Sequence, residues 1–113
     1  MNESHTTKIR RLVHAMLNSP GDTDTTIRQA VEKYSTRVGL SPTSTAGDIP
    51  AELTGYVKKV ALHAYKTTDE DIAALRQAGY SEDAMFEITL SAALGAGLAR
   101  LESGLAALEE DHE

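Results

Sequence analysis

The side chains best suited to chemistry lie on one predicted helix. Tyr56, Lys59 and His63 are three and four residues apart, so a helix places a phenol, an ammonium group and an imidazole along one stripe. An imidazole beside a cation and a phenol can act as a general acid or base. The alternative is that His63 lies at the edge of the buried face and bonds a backbone carbonyl.

Glu87 and Arg100 are two further candidates, both on the last predicted helix. Glu87 falls among leucines, where an unpaired carboxylate costs several kcal/mol, so we expect it to have a hydrogen-bonding or cationic partner. It either orients a reacting group or serves the helix dipole and an ion pair between chains. Arg100 either clamps an anionic ligand or supplies a counter-ion across an interface between chains.

The chain contains no cysteine, which excludes thiol chemistry, disulfides, iron–sulfur clusters and thiolate zinc sites. The histidines at positions 5, 14, 63 and 112 are not three or four residues apart, so we predict no metal site. His5, His14 and His112 are expected to be solvated. With no Trp and one Phe, the chain lacks the aromatic residues on which large planar cofactors draw, and no cofactor is predicted.

Length and charge indicate one small acidic domain. The 113 residues are predicted to form a single unit over residues 1–113. Eleven Lys and Arg against 17 Asp and Glu give a formal charge of −6, and the cations are too dispersed for binding to nucleic acid or an anionic membrane. Neither a signal peptide nor a membrane span of about 18 apolar residues is expected. We therefore predict a soluble cytoplasmic protein with no nucleic-acid or membrane partner.

Apolar residues recur with helical period along nearly the whole chain, and strand alternation is absent. The pattern predicts an all-α bundle of about five helices. They fall at residues 9–17, 27–38, 50–66 and 68–78 and in a long Ala/Gly/Leu-rich segment after residue 81. The buried face of the third is predicted to consist of Leu53, Val57, Val60, Ala61 and Ala64.

Glycines and capping residues predict where these helices begin and end. Gly39 and Gly79 are expected to end the second and fourth helices, because glycine readily adopts the left-handed conformation of a helix stop. Thr67 with Glu70, or Thr68 with Asp71, is expected to form a capping box at the start of the fourth helix, and Ser81 is the predicted N-cap of the fifth. Arg28 and Glu32, four residues apart, are expected to pair on the second. A flexible linker is predicted at about residues 40–48.

The fifth helix is predicted to be buried on two sides. Its leucine side is expected to pack against the other helices, and its opposite side carries small residues instead of polar ones. A helix of about 25 residues is about 37 Å long, more than a compact monomer of this size covers. We therefore predict a homo-oligomer in which the small side packs against another chain. The leucine side comprises Phe86, Leu90, Leu94, Leu98, Leu101, Leu105 and Leu108, and the small side Met85, Ile88, Ala92, Ala96, Ala99 and Ala106.

The C-terminal half of the sequence resembles a known family. Residues 67–88 read TTDEDIAALRQAGYSEDAMFEI. This run is similar to a segment of the carboxymuconolactone decarboxylase and alkylhydroperoxidase D (AhpD-like) superfamily, and the similarity extends over residues 56–108. The resemblance implies an AhpD-like helical bundle that assembles into trimers, hexamers or related rings.

The sequence departs from this family at the residues of its peroxidase chemistry. The family motif is Cys-x-x-Cys-x-x-x-His, in which two thiols reduce a hydroperoxide. Aligning it with residues 56–63 puts Tyr56 and Lys59 in place of the cysteines and keeps His63. In the alternative register it falls on residues 27–38, which contain neither Cys nor His. Both registers predict that hydroperoxide reduction is lost.

Two functions remain open. The decarboxylase branch implies acid–base chemistry on a small organic acid or lactone, with His63 as proton donor, Glu87 as orienting group and Arg100 as carboxylate clamp. Tyr56 and Lys59 would then bind the substrate. The alternative is a non-catalytic oligomeric interaction or ligand-binding module. An enclosed polar pocket that holds His63 with Glu87 or Arg100 would favour the enzyme, and an open, solvated His63 would favour the module.

Overall fold

The chain is built from α-helices. The computed structural model describes residues 3–41, 47 and 49–111, and the side chains of residues 7–41, 47 and 49–109. No strand occurs in these ranges, which confirms the all-α prediction. The elements are α1 (Glu3–Asn18), α2 (Thr25–Leu40), α3 (Ala51–His63), a 3₁₀ turn (Ala64–Lys66), α4 (Asp69–Gln77) and α5 (Glu82–Asp111).

The core lies where α2, α3 and α5 meet. Leu53 and Val57 of α3 are fully buried there, together with Val31 and Val38 of α2 and Ile88 of α5. The predicted buried face of α3 is therefore confirmed over its first three turns. Its predicted continuation to residue 64 is wrong, because the 3₁₀ turn begins at that residue and leaves it exposed.

α2 and α5 approach each other closely along their length. Thr36 Oγ1 donates to the Gly95 carbonyl at 3.1 Å, and Ser35 Oγ donates to the carbonyl of Ala92. A Cβ at Gly95 would overlap the carbonyl oxygen of Glu32 and lie 2.8 Å from Ser35 Cβ. Glycine is therefore required at residue 95, because only its missing side chain allows the two backbones to come this close.

The small side of α5 faces α2 within the chain. Ala96 and Ala99 are 3% and 2% exposed. Ala99 lies close to Gly39 of α2, because a Cβ added to Gly39 would be only 2.7 Å from the Cβ of Ala99. The prediction that this side packs against another chain is therefore wrong. Small side chains bring the α2 and α5 backbones together, and that close contact is used inside the fold.

The leucine side of α5 is left open, the reverse of the sequence prediction. Phe86 is 66% exposed and Leu108 is 54% exposed. The five leucines between them are half-buried. We call this surface the leucine face. It consists of Phe86, Leu90, Leu94, Leu98, Leu101, Leu105 and Leu108.

The predicted caps of α4 and α5 are confirmed. Thr68 and Asp71 form a capping box at the start of α4, the second of the two pairs that the sequence allows. Gly79 follows α4 with φ +102°, the left-handed conformation of a helix stop. Ser81 Oγ accepts a hydrogen bond from the backbone N–H of Ala84 at 3.0 Å at the start of α5.

The predicted end of α2 is corrected. Gly39 does not stop the helix, which continues to Leu40 and has Ser41 as its C-cap. The linker predicted at residues 40–48 therefore begins later, and residues 42–46 and 48 lie outside the described ranges. His112 and the side chain of His5 also lie outside them.

α5 has the length and composition of a membrane span. A stretch of 18 residues within Glu82–Glu109 has a mean hydropathy of 1.3, whereas the sequence analysis predicts an apolar helix but no stretch apolar enough to span a membrane. The central helix of a globular core meets the same criteria, and 44% of this stretch is buried inside the chain.

Candidate functional site

Tyr56 and Lys59 share one face of α3, but each side chain contacts a different helix. The Tyr56 hydroxyl forms a hydrogen bond with the Thr89 hydroxyl of α5 at 2.7 Å. Lys59 Nζ lies 3.0 Å from both carboxylate oxygens of Asp71 on α4. The hydrogen bond from Lys59, followed by that from the Thr68 backbone, lowers the pKa of Asp71. Both proposed substrate-binding side chains thus connect α3 to its neighbours.

His63, the last residue of α3, is exposed to solvent. Its ring meets that of Tyr65 edge-on, with 6.0 Å between centroids. Within the described residues its imidazole has no hydrogen-bond partner, and it lines none of three cavities of about 310 to 350 Å³ there. The open position of His63 is the arrangement that favours an interaction module over an enzyme.

Arg100 and Glu87 lie too far apart on α5 to hold one ligand within a single chain. From residue 87 to residue 100 the helix rises about 20 Å. Arg100 Nη2 donates to the carbonyl of Ala61 at 3.3 Å, in the last turn of α3. The structure therefore brings Arg100 to the same end of α3 as His63, where its charge complements the α3 dipole.

Glu87 reaches from α5 to the loop between α1 and α2. Its Oε2 accepts from the Asp22 N–H at 2.9 Å, and its Oε1 accepts from the Thr23 N–H at 2.7 Å. A Cβ on Gly21 would lie 2.7 Å from both oxygens, so a side chain there would push the carboxylate away from these hydrogen bonds. Burial alone would raise the pKa of Glu87, but these hydrogen bonds and the charge of Arg28 hold that pKa below its usual value.

Arg28 also binds the loop between α1 and α2, and it was not among the predicted site residues. It is 4% exposed, and its guanidinium donates to the carbonyls of Thr23 at 3.2 Å, Met16 at 3.1 Å and Ser19. The predicted pairing of Arg28 with Glu32 is wrong, because the guanidinium points to the end of α1 instead. There it satisfies carbonyls that the helix leaves without partners. We call Arg28, Glu87 and loop residues 21–23 the loop clamp.

We expect Glu87→Gln to destabilise the protein most at neutral pH. Because the folded pKa of Glu87 lies below the unfolded value, the ionised carboxylate stabilises the fold above the unfolded pKa. This stabilisation is lost as the pH falls through the folded pKa. Urea midpoints of wild type and variant, measured between about pH 7 and about pH 2, should converge at the acid end.

Glu82→Gln is the matched control for this titration. Glu82 lies on the same helix and is 83% exposed, so its substitution should leave the urea midpoint almost unchanged across the same pH range. If the difference in urea midpoint between Glu87→Gln and wild type were the same at every pH, the charge of Glu87 would not be what holds the loop.

The described part of the chain has open cavities on its surface, three of which are large enough to hold a small molecule. One of about 350 Å³ lies between α1, α2 and α5 and is lined in part by Val13, Leu17 and Leu98. A second of about 320 Å³ lies along α2, and a third of about 310 Å³ lies beside the loop clamp. No group of three or more His, Asp or Glu side chains in these residues is arranged to hold a metal ion.

Comparison with known proteins shows no relative of this chain. No protein-family model, no curated protein and no solved structure matches it. The likeness to the carboxymuconolactone decarboxylase superfamily therefore depends on residues 56–108 of the sequence itself.

Proposed function

We propose that this chain is a non-catalytic helical module that self-assembles through the leucine face of α5. The observation that carries the proposal is the exposure of this face, with Phe86 and Leu108 at its two ends 66% and 54% exposed. It extends about 33 Å along the helix and is about 10 Å wide, or about 330 Å² in projection. The largest apolar patch on a monomer has about this area and is often functional.

Three of the side chains predicted for the active site hold elements of the fold together. Lys59 is paired with Asp71, Glu87 holds the loop between α1 and α2, and Arg100 binds the end of α3. General acid–base catalysis needs groups that are positioned on a substrate. Acid–base chemistry on a small organic acid or lactone is therefore the less favoured hypothesis, because His63 is exposed and no described hydrogen bond orients it.

We propose in addition that the module is a divergent member of the carboxymuconolactone decarboxylase and AhpD-like superfamily. The proposal is supported by the order of α4, the Gly79 turn, the Ser81 cap and the long α5, and by the amino-acid sequence of residues 67–88. On this proposal the chain has kept the assembly of the superfamily. Its thiol chemistry is lost because the chain has no cysteine.

The experiment that tests assembly is the mass of the purified full chain in solution. Light scattering should give a multiple of 12.1 kDa. Leu94→Asp should weaken association at least a hundredfold, about 3 kcal/mol, because it buries an unpaired carboxylate in the interface. Leu94 is only half-buried in one chain, so the variant should keep its helical content.

Ala73→Asp is the control for this substitution. Ala73 is exposed on α4, away from the leucine face, so the same new charge should leave the mass unchanged. A wild-type chain that stays monomeric at micromolar concentration would overturn the proposed function. A Leu94→Asp variant that associates as tightly as wild type would remove the leucine face from the interface.

A further inference from the structure

One segment of α1 carries only cations among its charged residues, and the last turns of α5 carry only acids. Residues 7–18, in α1, contain Lys8, Arg10 and Arg11 and no acid. Residues 101–111, in α5, contain Glu at 102, 109 and 110 and Asp at 111, and no Lys or Arg. The net charge of −6 conceals this separation. The two segments carry opposite charges that attract each other when they lie close together.

The topology brings these two segments to the same end of the molecule. α1 runs antiparallel to α2, because Arg28 near the start of α2 binds the carbonyl of Met16 near the end of α1. α2 runs parallel to α5, because Thr36 bonds to Gly95 and the later Gly39 meets the later Ala99. The first half of α1 therefore lies toward the end where α5 finishes.

Within one chain the two segments do not cover each other. Leu12 of α1 is 62% exposed, and Leu108 of α5 is 54% exposed. Arg10 and Arg11, on α1, and Glu109, near the end of α5, are exposed as well. Each helix thus exposes a leucine that is flanked by charged residues.

A groove beside α1 continues this open surface. It has a volume of about 350 Å³, Val13 and Leu17 are buried in its floor, and Leu98 of the leucine face forms one wall. Arg10 and Lys33 stand exposed at its rim. The groove therefore joins the leucine face to the basic side of α1 in one continuous surface.

The area of the leucine face argues that a second surface takes part in assembly. Stable interfaces bury about 800 Å² on each partner, whereas the leucine face covers about 330 Å² in projection. Leu12 of α1 and the adjoining groove are the apolar surfaces next to the leucine face. A second copy of the chain supplies an acidic, leucine-bearing segment that fits this basic surface.

We propose that α1 of one copy packs against the last turns of α5 of a second copy. Leu105 and Leu108 of one chain then contact Leu12 and the groove of the other. Arg10 and Arg11 face Glu102 and Glu109 across the same contact, where opposite charges attract. The contact is reciprocal, as in an isologous interface. This inference rests on the proposed function, since it requires that the chain self-associates.

A charge exchange tests this contact. R10E/R11E makes α1 acidic, and E102K/E109K puts lysines at the two positions of α5 that face α1 in this contact, so each double variant alone sets like charges against each other there. Each should self-associate at least tenfold more weakly than wild type. An equal mixture of the two should recover association close to the wild-type value, because every contact is then between opposite charges. K58E/K66E reverses two exposed cations elsewhere and should associate like wild type.

The outcomes separate this inference from the proposed function. Double variants that each associate as wild type does, or a mixture no tighter than its components, would overturn the contact between α1 and α5. If Leu94→Asp still dissociated the assembly in that case, the leucine face would stand and only the α1 contact would fall. A wild-type monomer, whether free or bound to lipid vesicles, would overturn both.

Discussion

Replacement of Ala96 by Arg is expected to unfold the chain. Ala96 is 3% exposed and lies on the side of α5 that packs against α2. A guanidinium there has neither room nor a counter-ion, and an unpaired buried charge costs several kcal/mol. A domain of this size has about 5–15 kcal/mol of stability in total. Circular dichroism and urea unfolding should show loss of the native helical transition.

Ala107→Arg is the matched control for this prediction. Ala107 is exposed on a later turn of α5, so the substitution should change stability by no more than about 0.5 kcal/mol. If Ala96→Arg instead gave a folded monomer from an oligomeric wild type, the small side of α5 would face another chain. The packing of α5 on α2 would then be wrong.

Arg28→Met is expected to lower the free energy of unfolding by about 3 kcal/mol, since hydrogen bonds to a buried charged group are among the strongest in a fold. The substitution leaves the carbonyls of Met16, Ser19 and Thr23 without their donor. It also removes the cation that lies near Glu87. Urea unfolding of the variant and wild type at neutral pH measures the loss.

Arg76→Met provides the comparison for this loss. Arg76 forms an exposed ion pair with Glu82 at 3.4 Å, with the two side chains 59% and 83% exposed, so its removal should cost well under 1 kcal/mol. The double variant Arg28→Met with Glu87→Gln should lose less free energy of unfolding than the sum of the two single losses, because both residues hold the same loop. Equal losses for Arg28→Met and Arg76→Met would contradict the loop clamp.

The local features of this fold are determined by residues that lie close together in sequence. The helical periods, the Thr68–Asp71 capping box, the Gly79 stop and the Ser81 cap were all predicted and are confirmed. Each of these features depends on residues that lie within four positions of the backbone groups that they affect. Such contacts form in the helix itself, whatever the rest of the chain does.

The candidate site was predicted less well, because its contacts join distant parts of the chain. Glu87 was rightly expected to have a partner, but its partners are backbone groups 64 and 65 residues away. Arg28 was expected to pair with Glu32 and not to hold this loop, although its place three residues before the buried Val31 put it on the inner face of α2. An arginine three residues before a core valine is the sequence signal that could have indicated a buried guanidinium.

The sequence alone determined that this protein is helical and that α5 is apolar on two sides. Only the tertiary structure decided which side is buried. Periodicity reports hydrophobicity around a helix and not how closely another backbone can approach. Around Gly95 and Ala96 the small side lets α2 come into direct contact, whereas the bulkier leucines would hold it away. Close packing therefore took the small side into the core and left the leucine face outside.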